Sequence, residues 1–470
     1  MNYRKISPAD LEVFAKIVGG YYVLTDEEAL KKAASDETED LEYVPEVVIK
    51  PDTAGEISRV LAYCNEHIIP VTVRGAGTGL SGGALAVRGG VVLDMGRMNR
   101  ILNLDTDNFQ VTTEPGVITQ VLQEHVLERG LFYPPDPSSR GSCFIGGNIA
   151  ENSGGPRAVK YGVVKDYVLN LEVVLANGEI IWTGANVLKN ATGYNLTQLI
   201  VGSEGTLGVI TKIVLRLIPA VQHNVLMLVP FPSATEACRA VNAILLAGIT
   251  PSALEFMERQ AILLTIEYSG NTSIPLTKDT EAHLLIELDG KEPNVLQHQA
   301  EEVMKVLSAF ETGEILFADS HEQKEMLWAL RRKVGEAVKN HSVYKEEDTV
   351  VPRAALPQLL ATVKKIGGEY GFSSVCYGHA GDGNLHVNIL KGDMSEDEWE
   401  NKLPIAIREL FTEVVKLGGT LSGEHGIGLV QKGYMHTAFS DTQLRLMKAI
   451  KDVFDPNGIL NPRKIFPDSL

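Results

Sequence analysis

PVTVRGAGTGLSGG occupies residues 70–83 and runs directly into GALAVRGGVVLDM at 83–95. Gly77, Gly79 and Gly82 satisfy G-x-G-x-x-G, the spacing of a dinucleotide-binding turn. That spacing has meaning only where a helix opens at once and an acidic residue follows about 20 positions on. Here two more glycines and a second apolar strand leave no room for a crossover helix, and no acidic residue stands at that distance. A nicotinamide-type βαβ unit is therefore excluded. What remains is a strand feeding a loop of nearly bare backbone N–H groups, Gly75, Ala76, Gly77, Thr78, Gly79, Leu80, Ser81 and Gly82. Such a loop can cradle a pyrophosphate without a helix dipole, and Arg74 at its start can add charge. A solvent-exposed turn has the same composition, so this loop alone does not decide the matter.

Two further glycine clusters follow. PPDPSSRGSCFIGGNIAENSGG (134–155) combines prolines that impose extended geometry with glycines that permit close backbone approach. Its neutral hydrogen-bonding groups, Ser142, Asn148 and Asn152, suit a planar ring with polar edges. VGSEGTLGVI (201–210) joins a helix to a strand. Any one of these could be loop punctuation, but three within the first 210 residues are harder to dismiss.

The 470-residue length calls for two or three domains. A hydrophobic fraction of 44% and a charged fraction of 22% read as ordered and globular. The net charge of −17 excludes a nucleic-acid partner that needs a basic face. No apolar run approaches the length of a membrane span. MNYRKISPADLEVF shows no secretory h-region. Cys64, Cys143, Cys238 and Cys376 are scattered, which argues against disulfides and against an iron–sulfur cluster, and for a reducing cytoplasm. Electrons would then have to leave through an organic cofactor.

Residues 1–45 read as helical and acidic. From Val48 to Leu217, strands such as IIPVTVRG, LNLEVVLANGEIIWTG and LGVITKIVLRLIP alternate with turns and short helices. The spacer 218–224 is a boundary. Beyond it an α+β rhythm begins with the strand VLMLVPF and the helix SATEACRAVNAILLAG, whose Ser233 and Glu236 form a capping box. A long helix over 395–417 ends at Gly418-Gly419, and Ser440 or Asp441 caps the last helix.

YGHAGDGNLHVNIL (377–390) carries the densest chemistry. LHVNI alternates as a strand with His386 and Asn388 on one face. If Asp382-Gly383 forms a two-residue turn tip, His379 lies opposite His386, with Cβ atoms about 5 Å apart. Two imidazoles would then converge as a divalent metal requires. Alternatively the glycines make a wider loop and the pairing is less regular. GTLSGEHGIG (419–428) adds Glu424 and His425 between glycines. Two histidines and one carboxylate with open positions form a common catalytic metal site. The other histidines, 67, 125, 223, 283, 298, 321, 341 and 436, are scattered and read as structural. In MLWALRRKVGEAV (326–338), a helix, Arg331 or Arg332 could hold a substrate carboxylate bidentately, with Trp328 one turn from Arg331.

RGAGTGLSGG, PPDPSS, GGNIAENSGG, GSEGTLG, GHAGDGNLH, SGEHGIG and DPNGILNP occur in this order over nearly the whole chain. In them the sequence resembles the vanillyl-alcohol-oxidase-type flavoproteins, in the branch of D-lactate dehydrogenase, glycolate oxidase and D-2-hydroxyglutarate dehydrogenase. The resemblance implies an α+β chain: an FAD-binding domain of two α+β subdomains over 1–220, a substrate or cap domain with an antiparallel sheet over 221–420, and a segment returning to the flavin over 421–470. It adds Pro135, Asp136, Gly146, Gly147, Gly154, Gly155, Gly205, Gly208, Ile210 and Asn461 to the expected FAD contacts. It assigns His379, His386 and Glu424 as ligands of a zinc, manganese or iron ion and His425 as base. Covalent members often carry a histidine in the first glycine loop. Residues 75–83 have none, which implies non-covalent FAD. D-2-Hydroxyglutarate dehydrogenases place a threonine four residues after the arginine and a lysine downstream. Those places here look like Gly335 and Glu346, which favours a small monocarboxylate. The expected activity is oxidation of a D-2-hydroxy acid, D-lactate or glycolate, with electrons passed to a partner: an electron-transfer flavoprotein, an iron–sulfur subunit or a quinone-linked acceptor. Such a partner would also allow peripheral attachment to a membrane. The rival readings are a non-catalytic FAD-holding electron-transfer subunit, a D-2-hydroxyglutarate-type dehydrogenase, and a sugar-alcohol oxidase of the same fold that would need no metal.

Overall fold

The computed structural model describes residues 2–270, 274, 276–318 and 320–470. It comprises two compact units, one of 1–153, 163–220 and 424–470, the other of 154–162 and 221–423.

The first unit contains two main sheets. In the smaller, the strands run in the order Val23–Leu24, Val47–Ile49, Val91–Asp94, Val71–Arg74. The last three are parallel. Their almost unbroken Val/Ile/Leu content is what a parallel strand with both faces covered requires. The helix Ala54–His67 provides the crossover. Thr53 caps it through Glu56 N, and Ile68 ends it in the left-handed region at φ 54°. No helix intervenes between Arg74 and Val91, so the glycine stretch is a loop joining neighbouring strands. The larger sheet is antiparallel, in the order Ile101–Asp105, Gln110–Thr113, Val209–Arg216, Val168–Val174, Ile180–Trp182.

The second glycine cluster is not loop throughout. Residues Ile145–Glu151 wind into a helix that Asn152 closes at φ 57°. Gly146 is needed there because a Cβ would meet Pro115 at 2.5 Å.

The second unit is built on a seven-stranded antiparallel sheet. Its order is Leu316–Ala318, His223–Phe231, Ala282–Gly290, Ala253–Glu258, Ser373–Gly378, Asn384–Leu390, Tyr344–Val350. The helices Arg259–Ser269, His321–Arg332 and Val334–His341 pack on one face, where Ile262, Leu327, Leu330 and Val338 join Leu285, Val375 and Tyr377 in one core. The sequence reading runs the first domain unbroken to 220. The structure instead gives 154–162 to the second unit. The cause is electrostatic: Lys160 Nζ bonds Asp289 Oδ1 at 2.5 Å and Tyr161 Oη bonds both Asp289 oxygens at 2.9 Å.

All four cysteines are buried and unbridged. No helix among the described residues is long and apolar enough to cross a membrane.

Candidate active site

Register in the second unit places a row of polar side chains on the helix-covered face of the sheet. Tyr377 pairs with His386, Val375 with Asn388, Asp348 with His386 and Glu346 with Asn388. Directly opposed residues share a face, and Val375 and Tyr377 belong to the core beneath the helices. His386, Asn388, Glu346 and Asp348 therefore point the same way.

His379 does not oppose His386, as a two-residue turn at Asp382-Gly383 would require. The wider loop is the one formed. Gly381 N bonds Leu254 O at 3.0 Å, so the outgoing chain follows its other neighbour, Ala253–Glu258, past the end of the hairpin. Phe256 pairs with Gly378, and one further step of that register sets Glu255 opposite His379. The imidazoles still converge. Their ring centroids are 5.4 Å apart at 84°, and their ligand atoms lie within 4.8 Å of one another. Both residues are at most 4% exposed.

Each ring has one nitrogen against a carboxylate. His379 Nδ1 lies 2.9 and 2.8 Å from the oxygens of Glu255, and His386 Nδ1 lies 3.3 Å from Glu346 Oε1. For His379 that is the usual setting of a metal-binding histidine, whose second nitrogen is oriented by an acid; His386 is only within ion-pair distance of its acid. The donor chemistry fits a divalent ion.

The two candidate arginines separate. Arg331 is buried, with Nε 2.8 Å from Glu255 Oε2 and its guanidinium 4.9 Å from the Tyr377 ring centroid. Neither its Nε nor its Nη2 makes a hydrogen bond among the described residues, so the Glu255 contact is an ion pair without hydrogen-bond geometry. Arg332 stacks instead over Trp328 at 5.0 Å, and the Trp328 indole donates to Glu287 at 2.8 Å. Helical spacing alone paired Trp328 with the wrong arginine. Asn388 is fully buried with neither amide atom bonded. A wholly unsatisfied buried amide costs free energy, so this side chain has the character of a ligand-binding group.

Glu424 and His425 follow Gly423 directly and are half-buried. Gly423 is anchored in the second unit, where its N bonds Asp348 Oδ2 at 2.8 Å and Ser422 Oγ bonds the same oxygen at 2.8 Å. On the far side, in the first unit, Ile427 N and Gly428 N donate to Glu204 at 2.8 and 2.6 Å. The dipeptide is therefore held at both ends.

In the first unit the glycine loop is tied from below. Lys464 Nζ donates to the carbonyls of Gly82 at 2.7 Å and Leu85 at 2.8 Å, and Asn461 Nδ2 donates to Gly83 O at 2.9 Å and Glu204 O at 2.7 Å. Leu429 N bonds Ser81 O at 2.7 Å. Arg74 folds under its own loop. A Cβ at Gly77, where φ is +75°, would strike its Nη2 at 2.2 Å. Burial pulls the Arg74 pKa down. A Cβ at Gly79 or Gly147 would meet nothing within 4 Å, so both backbones border open space. Bare backbone beside open space fits a flavin dinucleotide's phosphates.

Other expected cofactor residues have local partners. Asn148 Nδ2 donates to Thr119 at 2.7 Å, Asn152 Oδ1 accepts from Lys165 N at 2.9 Å, and Ser142 Oγ donates to Ser139 O at 3.2 Å. Asp136 pairs with Arg140, and Pro135 O accepts from Gln123. Gly205 needs its φ of +68°, and Gly208 has no room for a Cβ, which would lie 2.4 Å from Val173. Ile210 pairs with Val173 inside the larger sheet.

Sequence reasoning missed the buried ions. Glu151, Glu204 and Lys464 interact electrostatically in the first unit. Burial pushes Glu204 up to about 6 against the pull of the Ile427 and Gly428 amides. Burial, then the Glu204 charge, pushes Glu151 well up. Burial pushes Lys464 down to about 8. Glu255 had a visible signal, an acid in the apolar strand ALEFM.

The chain belongs to the FAD-linked oxidases. The family described as "FAD linked oxidases, C-terminal domain" matches residues 220–465, and "FAD binding domain" matches 45–184. A D-lactate dehydrogenase of Anaerostipes hadrus is 37% identical over 99% of this chain and 98% of its own length. The glycolate oxidase subunit GlcD of Bacillus subtilis (strain 168) is 40% identical over 92% and 91%. A D-2-hydroxyglutarate dehydrogenase of Stutzerimonas stutzeri (strain A1501) is 32% identical over 98% and 99%. p-Cresol methylhydroxylase shares the fold, with a TM-score of 0.81, 19% identity and 99% of both chains covered.

Proposed function

We propose that this chain is an FAD-dependent dehydrogenase that oxidises a small D-2-hydroxy acid, D-lactate or glycolate, to the 2-oxo acid. The observation that carries this reading is the buried arginine beside a converging histidine pair, one member of which an acid orients. A cation with an unsatisfied Nη2 suits a substrate carboxylate, and the histidines suit the ion that would bind its hydroxyl. His379, His386 and Glu424 would hold the divalent metal, and Arg74 to Gly82 would hold the FAD phosphates non-covalently. Bound FAD supplies the hydride acceptor, and a bound divalent ion supplies a Lewis acid that lowers the hydroxyl pKa. Arg331 fixes the carboxylate and so the direction in which C2 faces. Asn388 offers a neutral hydrogen bond to the substrate. His425 accepts the hydroxyl proton. Glu346 beside His386 would repel a second substrate carboxylate, which favours a monocarboxylate.

The GlcD relative is named as a subunit, which supports a redox partner that takes electrons from the flavin.

The test is anaerobic stopped-flow reduction of the flavin by D-lactate and glycolate. His386→Ala should lose metal and flavin reduction together. His425→Ala should keep metal and FAD but slow reduction about 100- to 10,000-fold. Wild-type reduction rates in metal-depleted protein would remove the metal from the mechanism, and wild-type rates in His425→Ala would remove the base.

A further inference from the structure

Glu255 is fully buried in the central strand of the second unit's sheet and touches neither substrate nor reacting atoms in the mechanism just given. Its carboxylate meets two groups of opposite duty. Both oxygens face His379 Nδ1, at 2.9 and 2.8 Å, and Oε2 lies 2.8 Å from Arg331 Nε. Placing a carboxylate in an apolar strand costs free energy, and replacing such groups by apolar ones often stabilises a protein. Stability alone therefore does not account for it.

We propose that Glu255 is a positioning residue that couples the two halves of the site: it sets the tautomer of His379 and aligns Arg331. This rests on the metal-assisted reading above. A carboxylate accepts only, so the neutral imidazole must carry its proton on Nδ1. Nε2 is then the lone-pair nitrogen and can ligate. The same oxygen that faces Arg331 Nε holds the guanidinium at a set distance from that histidine. One rigid strand thus fixes the spacing between the hydroxyl-binding pole and the carboxylate-binding pole. Glutamine at this position keeps the volume but can present its NH2 to either neighbour. Facing His379 it selects the Nε2–H tautomer, which cannot bind an ion. Facing Arg331 it sets donor against donor.

The experiment uses the full-length FAD-loaded protein. Zinc affinity is measured by competition with a chromogenic chelator in wild type and Glu255→Gln. The variant should bind zinc 10- to 100-fold more weakly, the usual effect of losing an orienting acid. At saturating zinc its KM for D-lactate should rise more than its kcat falls. Full zinc affinity in Glu255→Gln, even with a lowered Tm, overturns the proposal and leaves Glu255 a counter-ion for Arg331. A second measurement needs no variant at this position. Nitrogen-15 histidine spectra of metal-free wild type, above the imidazole titration range and assigned with His379→Asn, should show the Nδ1–H form. An Nε2–H form overturns the proposal even where zinc binds. Wild type that shows the Nδ1–H form yet binds no divalent ion refutes the metal reading and leaves the tautomer assignment standing.

Discussion

Glu204→Gln removes one negative charge from the buried cluster of the first unit while preserving its volume. Glu204 is 6% exposed and accepts from Ile427 N and Gly428 N. Burial raises its pKa from 4.5 to about 6, a shift worth about 2 kcal/mol at about 1.4 kcal/mol per unit. The direction follows from linkage. A carboxyl whose folded pKa is raised binds its proton more tightly in the native state. Its contribution is fully present below 4.5 and is lost as pH rises through 6. Glutamine does not titrate. Relative to Glu204→Gln, the wild type should therefore gain most of about 2 kcal/mol as pH falls from 7.5 to 4.5. At neutral pH the two should lie closer, because glutamine loses one backbone N–H acceptor, roughly 1–3 kcal/mol, but escapes the cost of a buried charge. The assay is urea unfolding of both proteins at several pH values, read as the difference between them so that titrations remote from the cluster cancel and only Glu204 with its neighbours Glu151 and Lys464 contributes. A difference that stays constant, or shrinks on acidification, refutes the proton-binding account of the cluster.

Two further outcomes follow from the same unit. Lys464→Met withdraws the ammonium from the carbonyls of Gly82 and Leu85, so the purified variant should carry less FAD per chain, measured by absorbance. Wild-type flavin content would show that the loop holds its shape without this anchor. The flavin of the wild type should be released by acid or heat, since residues 75–83 contain no histidine, and flavin that stays with the denatured polypeptide would contradict this.

The glycine loop was legible because its evidence is local. The absence of a helix before Val91 excludes one cofactor fold from the sequence alone. The convergence of His379 and His386 was legible for a less sound reason. The two-residue turn gave the right neighbours through the wrong register, because the bond from Gly381 N to Leu254 O belongs to a strand more than 120 positions earlier. The choice between Arg331 and Arg332 was not legible. Both sit in the last turn of one helix, and which is buried depends on where Glu255 stands on the sheet beneath that helix. The cluster of Glu151, Glu204 and Lys464 draws on three distant points of the chain, and no periodicity links them. The same holds for 154–162, which precedes the 218–224 spacer and therefore reads with the first domain, whereas Lys160 and Tyr161 bind Asp289 in the second unit.

These failures have one physical origin. Hydrophobic periodicity records which face of an element is dry, and it says nothing about which ions share that face. The helix-covered face of the second unit's sheet carries Glu255, Glu287, Glu346, Asp348, His379, His386 and Arg331, all buried or nearly so. Desolvating such a set costs several kcal/mol per ion before pairing offsets it. The apolar core of Leu285, Val375 and Tyr377 on the same face would be simpler to extend than to interrupt. An ionic row that is costly to fold, yet oriented acid to histidine and acid to arginine, is preorganised for a charged ligand. On the proposed function this polar stretch of the face would carry the site, while its apolar remainder carries the fold.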